Sequence, residues 1–120
     1  MNDRDCTIEK LKQMILEFRD ARNWKQFHNP KDVAIALSIE ASEILELCRF
    51  RTTEEIVSAA EAGDNKEFAD EISDVLAYLL VLADGLNIDI ASSFERKLKI
   101  NEEHYPVEKA YGKKLKYTQL

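Results

Sequence analysis

The sequence predicts an all-α fold, a four-helix-bundle-like domain, and three observations support this prediction. Three glycines and two prolines among 120 residues are few, whereas a sheet-rich fold needs many turns. Apolar residues recur three or four positions apart along four long segments, which is the spacing of amphipathic helices. Short connections separate these segments. We therefore predict one domain over residues 1–120, in which residues 107–120 form a basic C-terminal tail.

The first two long helices have clear start signals. Thr7 is a candidate N-cap for the first helix, which should end near Arg22. Its apolar positions are Ile8, Leu11, Ile15 and Phe18. The segment NWKQFHNPKD follows as a loop, and Pro30 suits the first turn of a second helix that Asn29 caps. We expect this second helix to extend to Phe50.

The later helices are predicted from similar signals. The stretch RTTEEIVSAAEAG reads as a short helix with a threonine cap, ended by Gly63. A third long helix covers residues 66–86 and is apolar nearly all round after Asp74, as expected of a helix at the centre or at a subunit contact. Asp89 caps a fourth long helix, which Pro106 cannot continue.

Charge and composition exclude several functional classes. The net charge of −6 argues against nucleic acid as a partner, because phosphate backbones bind basic surfaces. The charged N-terminal stretch lacks the apolar run of a signal peptide, and no apolar stretch is long enough to span a membrane. The two cysteines have neither metal-site spacing nor the density of a disulfide scaffold. We expect a cytoplasmic protein with no membrane partner.

Two pairs of acidic residues lie on apolar helix faces rather than opposite them. At about 100° per residue, Glu40 and Glu43 lie about 60° apart within the apolar stripe of the second helix. Glu71 and Asp74 repeat this arrangement on the third long helix. One such pair is usually a solvated surface. Two pairs that converge would repel each other unless a cation lies among them, so a solvated surface and a metal site both remain open.

The donor types narrow the choice of metal. A di-iron bundle needs a histidine three residues after a glutamate on two helices, and neither His28 nor His104 has that position on a core face. Zinc sites usually contain histidine or cysteine ligands. Hard cations take oxygen ligands, and Mg²⁺ is typically held by carboxylates together with water and substrate phosphates. Mg²⁺ is therefore the expected cofactor, with Mn²⁺ as the alternative.

Several motifs in order resemble one known family. RNWKQFHNPKDVAIALSIEASEILEL, DEISDVLAYLLVLAD and KLKINEEHYPVEKAYG are similar to segments of the MazG-like all-α nucleotide pyrophosphohydrolases, most of all to the small dCTP pyrophosphatases. The resemblance covers roughly residues 8–117. It implies a homo-oligomer, with a homotetramer built as a dimer of dimers preferred over a dimer.

The resemblance also implies site residues. The catalytic, Mg²⁺-binding acids would be Glu40, Glu43, Glu71 and Asp74, of which Glu43 or Glu40 would orient the attacking water. The substrate-binding residues would be Trp24, His28, Phe50, Tyr78, Lys97 and Asn101. Phe50 stands where close relatives have a second pocket tryptophan, and Ile15 stands where they have a base-contacting histidine. These two departures remove a polar contact and leave the aromatic wall partly intact.

The function implied by the resemblance is Mg²⁺-dependent cleavage of a nucleoside triphosphate to the monophosphate and pyrophosphate. The expected substrate is dCTP or a modified pyrimidine deoxynucleotide, and the expected role is sanitation of the nucleotide pool. Action on dATP, dUTP or phosphoribosyl-ATP is the alternative within the same fold. A non-catalytic helical module, whose acidic faces bind a basic partner, is the alternative from another class.

Overall fold

The structure is a computed structural model that describes residues 1–120, and all of its regular secondary structure is helical, which confirms the predicted fold class. The α-helices are α1 (Ile8–Ala21), α2 (Pro30–Cys48), α3 (Thr53–Glu61), α4 (Lys66–Gly85), α5 (Ile90–His104) and α6 (Val107–Ala110). Two 3₁₀ turns cover Lys25–Phe27 and Tyr117–Gln119. No single helix has both the length and the apolar composition needed to cross a membrane.

Four of the α-helices, α1, α2, α3 and α5, begin where a side chain accepts a hydrogen bond from a first-turn backbone N–H group. The Thr7 hydroxyl accepts a hydrogen bond at the start of α1, and Asn29 caps α2 directly before Pro30. Thr52 and Glu55 form a reciprocal capping box at the start of α3. These caps fix the positions at which the capped helices begin.

The chain divides into two compact units, Met1–Asn87 and Ile88–Leu120, and the single-domain prediction stays a prediction. In the first unit, α4 packs against both α2 and α1. Its buried apolar side chains are few: Val33, Leu80, Val81 and Ala83. The second half of α4 therefore supplies most of the core of this unit, as its nearly all-round apolar sequence predicts.

Large apolar side chains remain exposed on α2 and α4. On α2 they include Ile35, Ile39 and Leu45, and on α4 they include Ile72 and Leu79. Leu45 is the most exposed of these, at 71% of its surface. Helix faces of this kind usually indicate an interaction surface rather than a solvated one.

The second long helix ends slightly earlier than expected. The second long helix ends at Cys48 instead of reaching Phe50, because Phe50 adopts a left-handed backbone conformation with φ of +63°. The backbone N–H of Arg51 bonds back to the Cys48 carbonyl and closes this turn, after which Thr52 caps α3. The chain thereby reverses into a new helix where the sequence pattern alone suggests a longer one.

The segment after Pro106 is also more ordered than the predicted polar tail. It contains α6 and a final 3₁₀ turn, both within the second unit. The Tyr117 ring stacks on His104 with ring centroids 4.1 Å apart and meets Tyr105 edge-on at 5.9 Å. These aromatic contacts attach the C-terminal segment to the end of α5.

Candidate active site

Three of the four predicted acids form a tight group on α2 and α4. One carboxylate oxygen from each of Glu40, Glu43 and Glu71 lies within 4.8 Å of the others, and we call this group the acidic cluster. Glu40 and Glu71 are half-buried, and Glu43 is exposed. Because α2 packs against α4, the two acids spaced three residues apart on α2, Glu40 and Glu43, lie close to Glu71 on α4.

The electrostatics of the acidic cluster favour the binding of a positive charge. A hydrogen bond shared with the Glu43 carboxyl, partial burial and the negative charges nearby raise the pKa of Glu71 to about 7. Burial and then the charge of Glu43 raise the pKa of Glu40 as well. Ionised carboxylates in such a group repel one another, and a proton or a cation among them reduces that repulsion.

The donor set and one unsatisfied atom fit a hard divalent cation. Oε2 of Glu71 is buried and accepts no hydrogen bond from any protein group. A buried carboxylate oxygen without a donor is costly, and a cation among oxygen ligands would remove that cost. Glu40, Glu43 and Glu71 would hold it, and water and phosphate oxygens would complete its coordination.

Asp74 lies outside the acidic cluster but close to it. Its negative charge contributes to the raised pKa values of both Glu40 and Glu71. Its side chain is exposed and lines a neighbouring cavity. Asp74 therefore adjoins both the acidic cluster and that cavity, and it lies about one helical turn beyond Glu71 on α4.

This α1–α4 cavity has a volume of about 140 Å³. Its lining comes from α1, the following loop and α4, namely Ile15, Phe18, Arg19, Trp24, His28, Asp74, Ala77, Tyr78 and Val81. The lining is mainly apolar and aromatic, with a few polar groups that converge on the space. Pockets for drug-sized ligands usually measure roughly 300–1,000 Å³, so this one suits a single ring system rather than a whole nucleotide.

The loop that carries Trp24 and His28 is held against α1. The Trp24 backbone N–H donates to the Arg19 carbonyl at 3.1 Å, and Asn23 adopts a left-handed conformation with φ of +56°. The Trp24 ring meets Phe18 edge-on, with ring centroids 5.9 Å apart. Burial and then the charge of Arg19 lower the pKa of His28, so its imidazole is neutral at neutral pH.

The predicted substrate-binding residues divide into two groups. Trp24, His28 and Tyr78 meet at the α1–α4 cavity, together with Asp74. Phe50 does not line this cavity, and 94% of its surface is exposed. Lys97 and Asn101 lie one turn apart on α5, in the second unit, and their assignment stays a prediction.

Sequence reasoning missed Arg19, which is the one buried charged residue of the chain and lines the same cavity. The signal was present in the sequence. Arg19 follows Ile15 by four positions and therefore shares the apolar face of α1. The test that selected the acids on α2 and α4, a charge inside an apolar stripe, selects Arg19 on α1.

Comparisons with known sequences agree over most of the chain. The family described as MazG-like matches residues 35–120. The chain is 34% identical over 115 residues to dCTP pyrophosphatase 1 of Mus musculus, an alignment that covers 95% of this chain and 68% of that protein. It is 34% identical over 117 residues to dCTP pyrophosphatase 1 of Homo sapiens, with the same coverage.

A solved structure shares the fold. The crystal structure of a pyrophosphatase from Archaeoglobus fulgidus superposes with a TM-score of 0.76 at 36% sequence identity. The match covers 88% of this chain and 98% of the archaeal chain. At this identity the likeness extends beyond the general arrangement of helices.

Proposed function

Because the chain belongs to the MazG-like family, as its motifs predict, we propose that it is a nucleoside triphosphate pyrophosphohydrolase. It would cleave a deoxynucleoside triphosphate between the α- and β-phosphates and release the monophosphate and pyrophosphate. The relatives with the matching sequences are dCTP pyrophosphatases, so dCTP or a modified pyrimidine deoxynucleotide is the proposed substrate. Removal of such nucleotides before polymerases use them is the proposed role.

The position of Asp74 is the observation that supports this function best. Its carboxylate acts electrostatically on Glu40 and Glu71 and also lines the α1–α4 cavity. A ligand with its ring in the cavity and a polar extension beside Asp74 would bring that extension close to the acidic cluster. A nucleotide has this shape, with an aromatic base at one end and anionic phosphates at the other.

The base would be held in the cavity by aromatic side chains. Trp24 and His28 line the cavity from the loop after α1, and Tyr78 adds a further aromatic ring from α4. Stacking between a base and an aromatic side chain is sequence-tolerant, so these residues supply affinity more than selectivity. The small volume of the cavity excludes the sugar and phosphates from the same space.

The acidic cluster would act at the other end of the nucleotide. A bound Mg²⁺ would neutralise charge on the phosphates and on the leaving pyrophosphate. Glu40, Glu43 and Glu71 would hold the cation, and Asp74 would complete the acidic group on the side of the substrate. The exposed Glu43 is the carboxylate best placed to orient a water molecule and accept its proton, because solvent reaches it directly.

We also propose that the exposed apolar faces pair with a second copy of the chain. Ile35 and Ile39 lie four residues apart on α2, while Ile72 and Leu79 lie seven residues apart on α4. Each pair therefore forms a continuous apolar stripe. With only four apolar side chains buried, the single chain leaves this surface without cover, and a homotetramer or homodimer would bury it.

A nucleotide panel tests the proposed activity. Purified protein with Mg²⁺ is incubated with dCTP, dUTP, dATP, dGTP and phosphoribosyl-ATP, and the products are identified by chromatography. Pyrophosphate release from dCTP is expected to be the fastest reaction. Release of single phosphates, or no turnover of any nucleotide, would refute the proposal.

Matched variants test the assigned acids. Glu43→Gln and Asp74→Asn should reduce turnover by a factor of 100 or more, because each removes a charge at the phosphates. Glu46→Gln is the control, since Glu46 lies on the same helix, is exposed, and pairs with Arg49 at 2.9 Å instead of joining the acidic cluster. Equal loss in all three variants would show that the acidic cluster has no special role.

A further inference from the structure

Arg19 is buried to an unusual degree for a charged residue. Only 6% of its surface is exposed, although it lies on a helix whose neighbouring positions Phe18 and Asp20 are exposed. Burial of an arginine is costly unless its guanidinium is paired or has a function. The side chain lines the α1–α4 cavity, so a molecule inside the cavity can contact it.

The protein satisfies only one side of this guanidinium. Nε donates to Oδ1 of Asp20 at 2.8 Å, and this is the only hydrogen bond and the only ion pair of the side chain. Asp74 lines the same cavity without forming an ion pair with Arg19. The N–H groups of Nη1 and Nη2 therefore remain available as hydrogen-bond donors. The planar guanidinium holds them in one plane at a fixed spacing.

No polar side chain that lines the cavity forms a hydrogen bond or an ion pair with these donors. Nδ1 of His28 is buried and has no hydrogen-bond partner. The neighbouring Arg19 and burial keep this imidazole neutral, as its lowered pKa indicates. Trp24 and Tyr78 contribute aromatic side chains to the lining. Arg19 is thus the one cationic donor that a base in the cavity would meet.

We propose that Arg19 selects the base of the substrate, by donating from Nη1 and Nη2 to a base edge that carries two adjacent acceptors. This proposal rests on the proposed nucleotide pyrophosphohydrolase function and adds a specificity determinant to it. The O2 and N3 atoms of cytosine form such an edge. In adenine, the exocyclic amino group, which is a donor, lies beside each of the acceptors N1 and N7. The two-donor fork formed by Nη1 and Nη2 would therefore face one acceptor and one donor.

The expected selectivity is large enough to measure. A bidentate contact between arginine and a base typically discriminates against the wrong base by about 5- to 150-fold. Loss of the fork should therefore reduce the preference for cytosine over adenine by a similar factor. The loss should appear mainly in KM, because the contact forms on binding and lies away from the reacting phosphate.

The chain contains a built-in probe for this test. Trp24 is the only tryptophan, and it lines the same cavity, so its fluorescence should respond to an occupying base. Titration of the full-length protein with dCMP and with dAMP in the presence of EDTA gives two Kd values without any metal or turnover. Their ratio measures base selection alone.

Three variants complete the experiment. Arg19→Met keeps most of the buried stem but removes all donors, and Arg19→Lys keeps a charge without the planar fork. Both should lower the ratio of the dAMP Kd to the dCMP Kd by at least fivefold. Arg4→Met is the control, because Arg4 is exposed and lies outside every helix, and it should leave the ratio unchanged. Circular dichroism identifies any variant that does not fold.

The outcomes separate this proposal from the proposed function. A folded Arg19 variant that keeps the wild-type ratio would overturn the role of Arg19 even if the enzyme hydrolyses dCTP. A wild-type protein that binds dCMP and dAMP equally would overturn it as well. Absence of pyrophosphate release from every nucleotide would refute the proposed function. The ratio of the dAMP Kd to the dCMP Kd would still show whether Arg19 discriminates between the two bases.

Discussion

Mg²⁺ binding to the acidic cluster should depend on pH near neutrality. The hydrogen bond to Glu43, together with burial and neighbouring charges, raises the pKa of Glu71 from 4.5 to about 7. A carboxylate must lose its proton to coordinate a metal, so the proton and Mg²⁺ compete for Glu71. Mg²⁺ binding should therefore displace the proton of Glu71, and this proton release can be measured.

The size of the effect follows from the pKa. With a pKa of about 7, Glu71 is about 90% protonated at pH 6 and about 10% protonated at pH 8. Mg²⁺ binding should then release about 0.9 proton at pH 6 and about 0.1 proton at pH 8. The same protonation makes the apparent Kd for Mg²⁺ about tenfold higher at pH 6 than at pH 8.

Isothermal titration calorimetry measures both quantities. Titrations in two buffers with different ionisation enthalpies give the number of protons released, and the isotherms give Kd. Glu71→Gln should bind Mg²⁺ more weakly and lose most of the dependence on pH, whereas Glu46→Gln should behave as the wild type. An apparent Kd that is equal at pH 6 and pH 8 in the wild type would contradict the reasoning.

Mg²⁺ affinity should rise with pH, whereas the stability of the metal-free protein should fall. Between pH 4.5 and about 7 the folded state binds more protons at Glu71 than the unfolded state does. The contribution of Glu71 to the free energy of unfolding therefore falls as the pH rises through this window and is constant above it. Added Mg²⁺ should restore stability most strongly above pH 7, which thermal unfolding with and without EDTA would detect.

Three further predictions concern the fold and the assembly. Leu80→Ala should lower the free energy of unfolding by about 2–5 kcal/mol in urea titrations, because Leu80 is 2% exposed and its truncation leaves a cavity; a loss below about 1 kcal/mol would contradict its place in the core. Thr52→Ala should cost about 1 kcal/mol by removing the capping box of α3, whereas the exposed Thr53→Ala should cost less. Ile39→Glu should shift the protein to a smaller species in light scattering, and an unchanged mass would show that this face of α2 is not the contact.

Helix starts were predictable because single side chains determine them. Thr7, Asn29 and Asp89 were each identified as caps, and each accepts a backbone hydrogen bond at its helix start. The acidic pairs on α2 and α4 were predictable for a related reason. Their spacing of three places them on one face of a helix whatever the helix packs against, and packing of α2 on α4 then brings three of the four together.

Features that depend on tertiary context were not predictable. The local sequence around Phe50 does not predict a left-handed backbone, because that conformation is disfavoured for a large side chain. The turn into α3 requires it. The C-terminal segment lacks periodicity, and its order comes from the contacts of Tyr117 with His104 and Tyr105. The distances within the acidic cluster required the packing of two helices, which spacing alone does not give.

Helix α4 carries both ends of the proposed site on one rigid element. Glu71 belongs to the acidic cluster and Tyr78 lines the cavity, and their separation of seven positions corresponds to about 10 Å along the helix axis. In the proposed complex, this helix would set the distance between the bound base and the reacting phosphates. Insertion of one residue between Asp74 and Tyr78 would turn one end by about 100° relative to the other, leaving each end intact but no single nucleotide able to reach both.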